Sequence, residues 1–132
     1  MSRVLIVEDS STQRQVLSQV LQEQKFAVAV AQNGVEALEK IERFLPDVVL
    51  LDVVMPDLNG YEVCRRLKSN EKTRHIPVIM CSSKDTQVDV YWAKKNGADA
   101  YIVKPFRPDN LLSTIQEVIE SMSSAGSAKE LV

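Results

Sequence analysis

The apolar positions of this chain fall into two alternating patterns. Apolar runs mark 4–7 (VLIV), 26–31 (FAVAVA), 47–52 (DVVLLD, apolar from 48 to 51), 77–82 (PVIMCS, apolar up to Cys81) and 100–103 (AYIV). Runs of that length, rich in Val, Ile and Leu, predict strands covered on both faces. Between them, apolar residues recur every three or four positions, which predicts helices. Val16, Leu17, Val20 and Leu21 form the first stripe, preceded by Ser10 and Gln13 at capping-box spacing. Ala37, Leu38, Ile41 and Leu45 form the second, with Asn33 and Glu36 at its start and Pro46 as its stop. Gly60, Val63, Cys64 and Leu67 form the third, opened by Asn59 and Glu62. A fourth helix is expected over about 85–96, ending at Gly97. A fifth opens at Pro108 and carries Leu111, Leu112, Ile115, Val118, Ile119 and Met122 on one face.

Five strand–helix pairs in strict alternation predict an α/β fold with one parallel sheet and helices on both faces. The run 26–31 reads as an edge strand. One domain is expected over 1–122, followed by a flexible tail at 123–132 (SSAGSAKELV).

Charge narrows the function classes. A formal net charge of −2 and a pI near 5.4 give no basic surface for nucleic acid or an anionic membrane. No apolar run approaches a membrane span, and a cytoplasmic location is expected. Cys64 and Cys81 sit inside apolar patterns without metal-like spacing and read as reduced core residues. His75, before Ile76-Pro77, reads as a solvated loop residue. Of the neighbours Tyr91 and Trp92, at least one is expected to pack inward.

The chemistry gathers at the strand ends. In open α/β sheets, sites form beyond the carboxyl ends of the strands. There the first strand delivers Glu8 and Asp9, the third Asp52, the fourth Ser82 and Ser83, and the fifth Lys104. The edge strand delivers only Gln32 and Asn33. Three carboxylates close together repel one another and gain from a divalent cation and an ammonium. Hard carboxylate oxygens suit Mg²⁺. In such a site Asp52 can act as a nucleophile toward a phosphoryl donor, with the cation and Lys104 stabilising the transferring charge.

The Glu8-Asp9 pair, Asp52 in LLDVVMPDLNG, Ser82 in PVIMCSS, and GADAYIVKPF from Gly97 to Phe106 resemble the receiver domain of two-component response regulators, the single-domain chemotaxis type in particular. The stretch VYWAKKNGADAYIVKPF is reminiscent of the regulators of pilus-driven motility. The resemblance spans residues 3 to about 122. It implies a flavodoxin-like, doubly wound (βα)5 fold with strand order 2-1-3-4-5. It also implies a role for each site residue. Asp52 would be the phosphoacceptor. Asp9 would bind Mg²⁺ directly, Glu8 largely through water, and Asp52 and the Val54 carbonyl would complete the metal ligands. Ser82 and Lys104 would contact the phosphoryl group. Tyr101 would be the switch aromatic, and the Lys104-Pro105 bond would be cis. The partners implied are a sensor histidine kinase or phosphotransfer protein and a downstream target protein, bound by the fourth helix, fifth strand and fifth helix. The chain would be a monomer or weak dimer.

The sequence departs from the commoner pattern in two places. The acidic pair is Glu-Asp, and Ser83 stands where a small alanine is usual. Val54 and Lys84 occupy positions that tune dephosphorylation in the family. A constitutive interaction module with this fold and no essential phosphorylation is the main alternative; the presence of both Asp52 and Lys104 weighs against it. A phosphohydrolase of the haloacid dehalogenase type would carry a second Asp two residues after its nucleophile, where this chain has Val54.

Overall fold

The computed structural model describes residues 2–131, with side chains through residue 121; the tail expected at 123–132 and the place of Met122 lie outside the residues described with side chains. The strands are β1 (Arg3–Val7), β2 (Ala27–Ala31), β3 (Val48–Asp52), β4 (Val78–Ser82) and β5 (Ala100–Val103). They alternate with α1 (Ser11–Glu23), α2 (Gly34–Phe44), α3 (Gly60–Ser69), α4 (Gln87–Lys95) and α5 (Pro108–Leu131). All pairings are parallel, in the order β2-β1-β3-β4-β5. The expected fold and strand order are both present, with β2 at an edge.

The period of two along each strand divides the core into two layers. Val4, Ile6, Val48, Leu50, Ile79, Cys81 and Ile102 face α1 and α5, where Leu17, Leu21, Leu111 and Ile115 close over them. Leu5, Val7, Val49, Leu51, Val78 and Met80 face the other way, under Ala37 and Ile41 of α2, Val63, Cys64 and Leu67 of α3, and Ala93 of α4. Both cysteines are buried and free. Burial pushes the Cys64 thiol up to about 11 and the Cys81 thiol up to about 12, so neither is a reactive thiolate near neutral pH.

Three expectations need correction. Val16 belongs to the apolar spacing of α1 yet is 57% exposed, because only Leu17 and Leu21 reach the sheet fully. Leu45 lies beyond α2 in a left-handed cap conformation (φ 50°) and points outward; Phe44 packs in its place. Neither Tyr91 nor Trp92 is buried. They meet each other edge to face at 5.5 Å on the outer side of α4, whose short core face needs only the small Ala93. Thr86 and Asp89 open α4 with a reciprocal capping box, so the helix starts at Gln87, two residues later than its expected start near 85. His75 is exposed, as expected. No helix among the described residues is long and apolar enough to cross a membrane.

Candidate functional site

Strand ends create the site. β1 leaves the sheet at Val7, so Glu8 and Asp9 fall at its carboxyl edge; β3 ends on Asp52 itself. In register, Val7 pairs with Leu51, and Asp52 pairs with Cys81. One carboxylate oxygen from each of Glu8, Asp9 and Asp52 lies within 4.8 Å of the others. Lys104, just past β5, reaches over from the far side. Its ammonium contacts Glu8 Oε1 at 2.5 Å and stands 3.8 Å from Asp52 Oδ2. The Lys104-Pro105 bond is cis.

The backbone around these groups is tightly held. Gly60 opens α3 directly beneath the acceptor strand: a Cβ there would lie 2.3 Å from the Asp52 carbonyl oxygen, so only glycine fits. Asp57 in the β3–α3 loop accepts from the N–H groups of Gly34 and Val35, fastening that loop to the start of α2. These bonds hold the Asp57 carboxyl below the ordinary value, the one from Val35 contributing most. Arg14 donates to the carbonyl oxygens of Glu8 and Asp9 at 2.7 and 3.0 Å, fixing the acidic pair from behind.

The predicted residues divide into two groups. Glu8, Asp9, Asp52 and Lys104 come together as described. Ser82 is buried at the end of β4, and its hydroxyl accepts from the Lys84 N–H at 3.2 Å. The neighbouring Ser83, rather than Ser82, lines the cavity of about 510 Å³ beside Asp52, Val54 and Lys104. Val54 is exposed, and its N–H reaches Asp52 Oδ1 at 3.4 Å. Tyr101 lies half-buried against the α2–α3–α4 layer, donating its hydroxyl to the Lys84 carbonyl at 2.6 Å. Burial raises its pKa, while the adjacent Ser82 hydroxyl pulls the other way.

Sequence reasoning missed Gln13, Arg14 and Asp57. The spacing of Gln13 predicts a capping partner for Ser10. The Ser10 hydroxyl does cap α1, accepting from the Gln13 N–H at 3.3 Å, but the Gln13 side chain does not reciprocate. Its Oε1 accepts from Lys104 at 2.6 Å, and the Ser10 N–H turns to Glu8 Oε2 at 3.4 Å. Arg14 carried a readable signal, a cation one turn into the helix that follows an acidic pair.

The donor set fits a hard divalent cation. It is all oxygen, converges within one ion's reach and is short of positive charge. That shortage shows in Asp9, whose carboxyl is pushed above its ordinary value, first by the Glu8 carboxyl lying close beside it, then by partial burial and Glu8's charge. A carboxyl that binds its proton more tightly folded than unfolded costs stability as pH rises from 3.8 through the raised folded value. Asp9→Asn is therefore expected to raise the metal-free Tm at pH 7, by about a degree because Asp9 is exposed and solvent screens its repulsion, with the gain vanishing below the ordinary carboxylate range. Calorimetry at the two pH values reads this directly, and added Mg²⁺ should stabilise the wild type more than the variant.

A model described as the response regulator receiver domain matches residues 4–116. Protein PilH of Pseudomonas aeruginosa is 40% identical over 119 residues, covering 90% of this chain and 98% of that protein. The solved structure of Vibrio cholerae chemotaxis protein CheY4 superposes with a TM-score of 0.85 at 35% identity, covering 89% of this chain and 98% of the other. The receiver domain of sensor histidine kinase PA1611 from Pseudomonas aeruginosa PAO1, solved with a magnesium ion coordinated in its active site cleft, gives a TM-score of 0.84 at 28% identity, covering 90% and 98%.

Proposed function

The chain belongs to the response regulator receiver family, and from that premise we propose that it is a Mg²⁺-dependent phosphoacceptor switch with Asp52 as the acceptor. Receiver domains are signalling proteins rather than metabolic enzymes, and the chemistry proposed here is confined to one residue of the chain itself. The observation that carries the reading is the convergence of three carboxylates within 4.8 Å with one lysine ammonium over Asp52.

A free Asp52 carboxylate oxygen forms a bond to phosphorus as the bond from phosphorus to the donor breaks. From a phosphohistidine donor, the electron pair leaves with the imidazole nitrogen, which takes a proton from solvent. Asp9, Asp52, the Val54 carbonyl and, through water, Glu8 would hold the magnesium ion. The bound ion would supply charge neutralisation that lets an anionic donor approach an anionic acceptor. Lys104 stabilises negative charge on the transferring oxygens from the other side. Ser82 would then turn from the Lys84 N–H toward a phosphoryl oxygen.

The output follows from that rotation. Tyr101 sits beside Ser82 and is tied to the Lys84 carbonyl, so a shift of the β4–α4 loop changes its footing. The same loop leads into α4, where Val88, Tyr91 and Trp92 are exposed at helical spacing on the side opposite Ala93. That apolar face, with Val103 of β5 and the outer side of α5, is the surface offered to a target protein. The donor would be a histidine kinase or phosphotransfer protein.

An intact-mass measurement tests the reading. Incubation with acetyl phosphate and Mg²⁺ is expected to add the mass of one phosphoryl group, and a chelator to prevent it. No mass gain from acetyl phosphate, together with no structural response to beryllofluoride, would favour a constitutive interaction module.

A further inference from the structure

We propose that Gln13 is a positioning residue for Lys104, holding its ammonium so that one N–H remains free above Asp52. This rests on the phosphoacceptor reading of Asp52. A lysine ammonium has three hydrogens to donate. One goes to Glu8 Oε1 at 2.5 Å and one to Gln13 Oε1 at 2.6 Å. The third has no partner at hydrogen-bonding distance among the described residues; the nearest acidic oxygen on that side, Asp52 Oδ2, is 3.8 Å away. That gap leaves room for an oxygen of a group attached to Asp52, and the cavity there is walled by Thr12, Gln13, Ser83 and Lys104.

Two anchors of different charge answer a specific problem. A cation held by the acidic trio would draw on the charge of Glu8 and so would weaken Glu8's hold on Lys104. The amide oxygen of Gln13 is neutral. It orients the ammonium by a charge-assisted hydrogen bond without competing strongly for the cation. Position 13 is also free for this task. It is the third residue of α1, and the reciprocal half of the capping box that its spacing suggests is taken by Glu8 Oε2 instead. Lys104 arrives from 91 residues away in the chain, so the pairing is a tertiary feature and not a helix-start habit.

Gln13→Met keeps the length and shape of the side chain and removes the acceptor; Gln13→Glu keeps an acceptor. The first measurement is hydrogen exchange of the Lys104 ammonium, followed by ¹⁵N NMR in metal-free protein. The second is the rate of mass gain from acetyl phosphate at saturating Mg²⁺. In Gln13→Met, the ammonium is expected to exchange at least about fivefold faster, and phosphorylation to slow roughly three- to tenfold. In Gln13→Glu the ammonium stays protected. Unchanged exchange in Gln13→Met overturns the inference, whatever the rate does, because a slower rate would then reflect a general disturbance of α1. Faster exchange with an unchanged rate overturns the positioning role. If the wild type itself gains no mass, the phosphoacceptor reading falls and the role in catalysis falls with it. The metal-free exchange data still report separately whether Gln13 holds Lys104.

Discussion

Asp52→Asn is expected to gain no mass from acetyl phosphate under conditions that modify the wild type. An amide oxygen is a poor nucleophile, and no second carboxylate is placed to replace it. Glu8 is buried with its two oxygens committed to Lys104 and the Ser10 N–H. Asp9 is exposed, and its carboxylate is the one proposed to bind the metal ion directly. The loss should be on the order of 10³-fold or more, as expected when a covalent nucleophile is removed. The fold should survive. Asp52 is only part-buried, and Asn fills the same volume and can still accept from the Val54 N–H. Removing one of three mutually repelling charges should raise the metal-free Tm and weaken Mg²⁺ binding together. A variant that folds, binds Mg²⁺ as the wild type does and still gains a phosphoryl group would place the acceptor elsewhere.

Much of this arrangement was legible in the chain because it depends on period and position. Short unbroken runs such as VVLL at 48–51, alternating with helical stripes, read as strands covered on both faces, and in a parallel sheet their carboxyl ends share an edge. That rule alone places Asp52, Glu8, Asp9 and Lys104 at one edge of the sheet. What the pattern could not give was the choice each side chain makes among competing partners. Gln13 has the spacing of a capping residue, yet the ammonium of Lys104, just past β5, wins over the local backbone, since a charge-assisted bond is stronger than a neutral one. Val16 fits the apolar stripe of α1 but the helix has turned too far by that position for it to reach the sheet. Trp92 and Tyr91 defeat the usual expectation for aromatics on a helix because α4 meets the core only through Ala93. Ser82 and Ser83 are adjacent and chemically identical, and only the path of the β4–α4 loop decides which one faces the cavity.

Lys104→Met should cost both stability and chemistry, and the two losses separate by their response to a second mutation. Glu8 is almost fully buried and its carboxylate faces the Lys104 ammonium at 2.5 Å. Removing the lysine leaves a buried charge opposed by two further carboxylates. Breaking a fully buried pair from one side costs roughly 3–5 kcal/mol. The Lys104 side chain keeps 17% of its exposure, so a loss of about 2–3 kcal/mol is expected here, measured by urea denaturation without metal. Mg²⁺ should restore more stability to this variant than to the wild type, since it supplies the missing positive charge. Glu8→Gln in the same chain should recover most of the loss, because the buried charge is then gone. Phosphorylation should behave otherwise. With Mg²⁺ saturating, Lys104→Met is expected to slow the mass gain by roughly 10²–10³-fold, the usual effect of removing one preorganised charge from a transferring group. Glu8→Gln should not rescue that rate. Recovery of rate along with stability would mean that Lys104 serves the fold alone, and that charge on the phosphoryl oxygens is met by the metal without it.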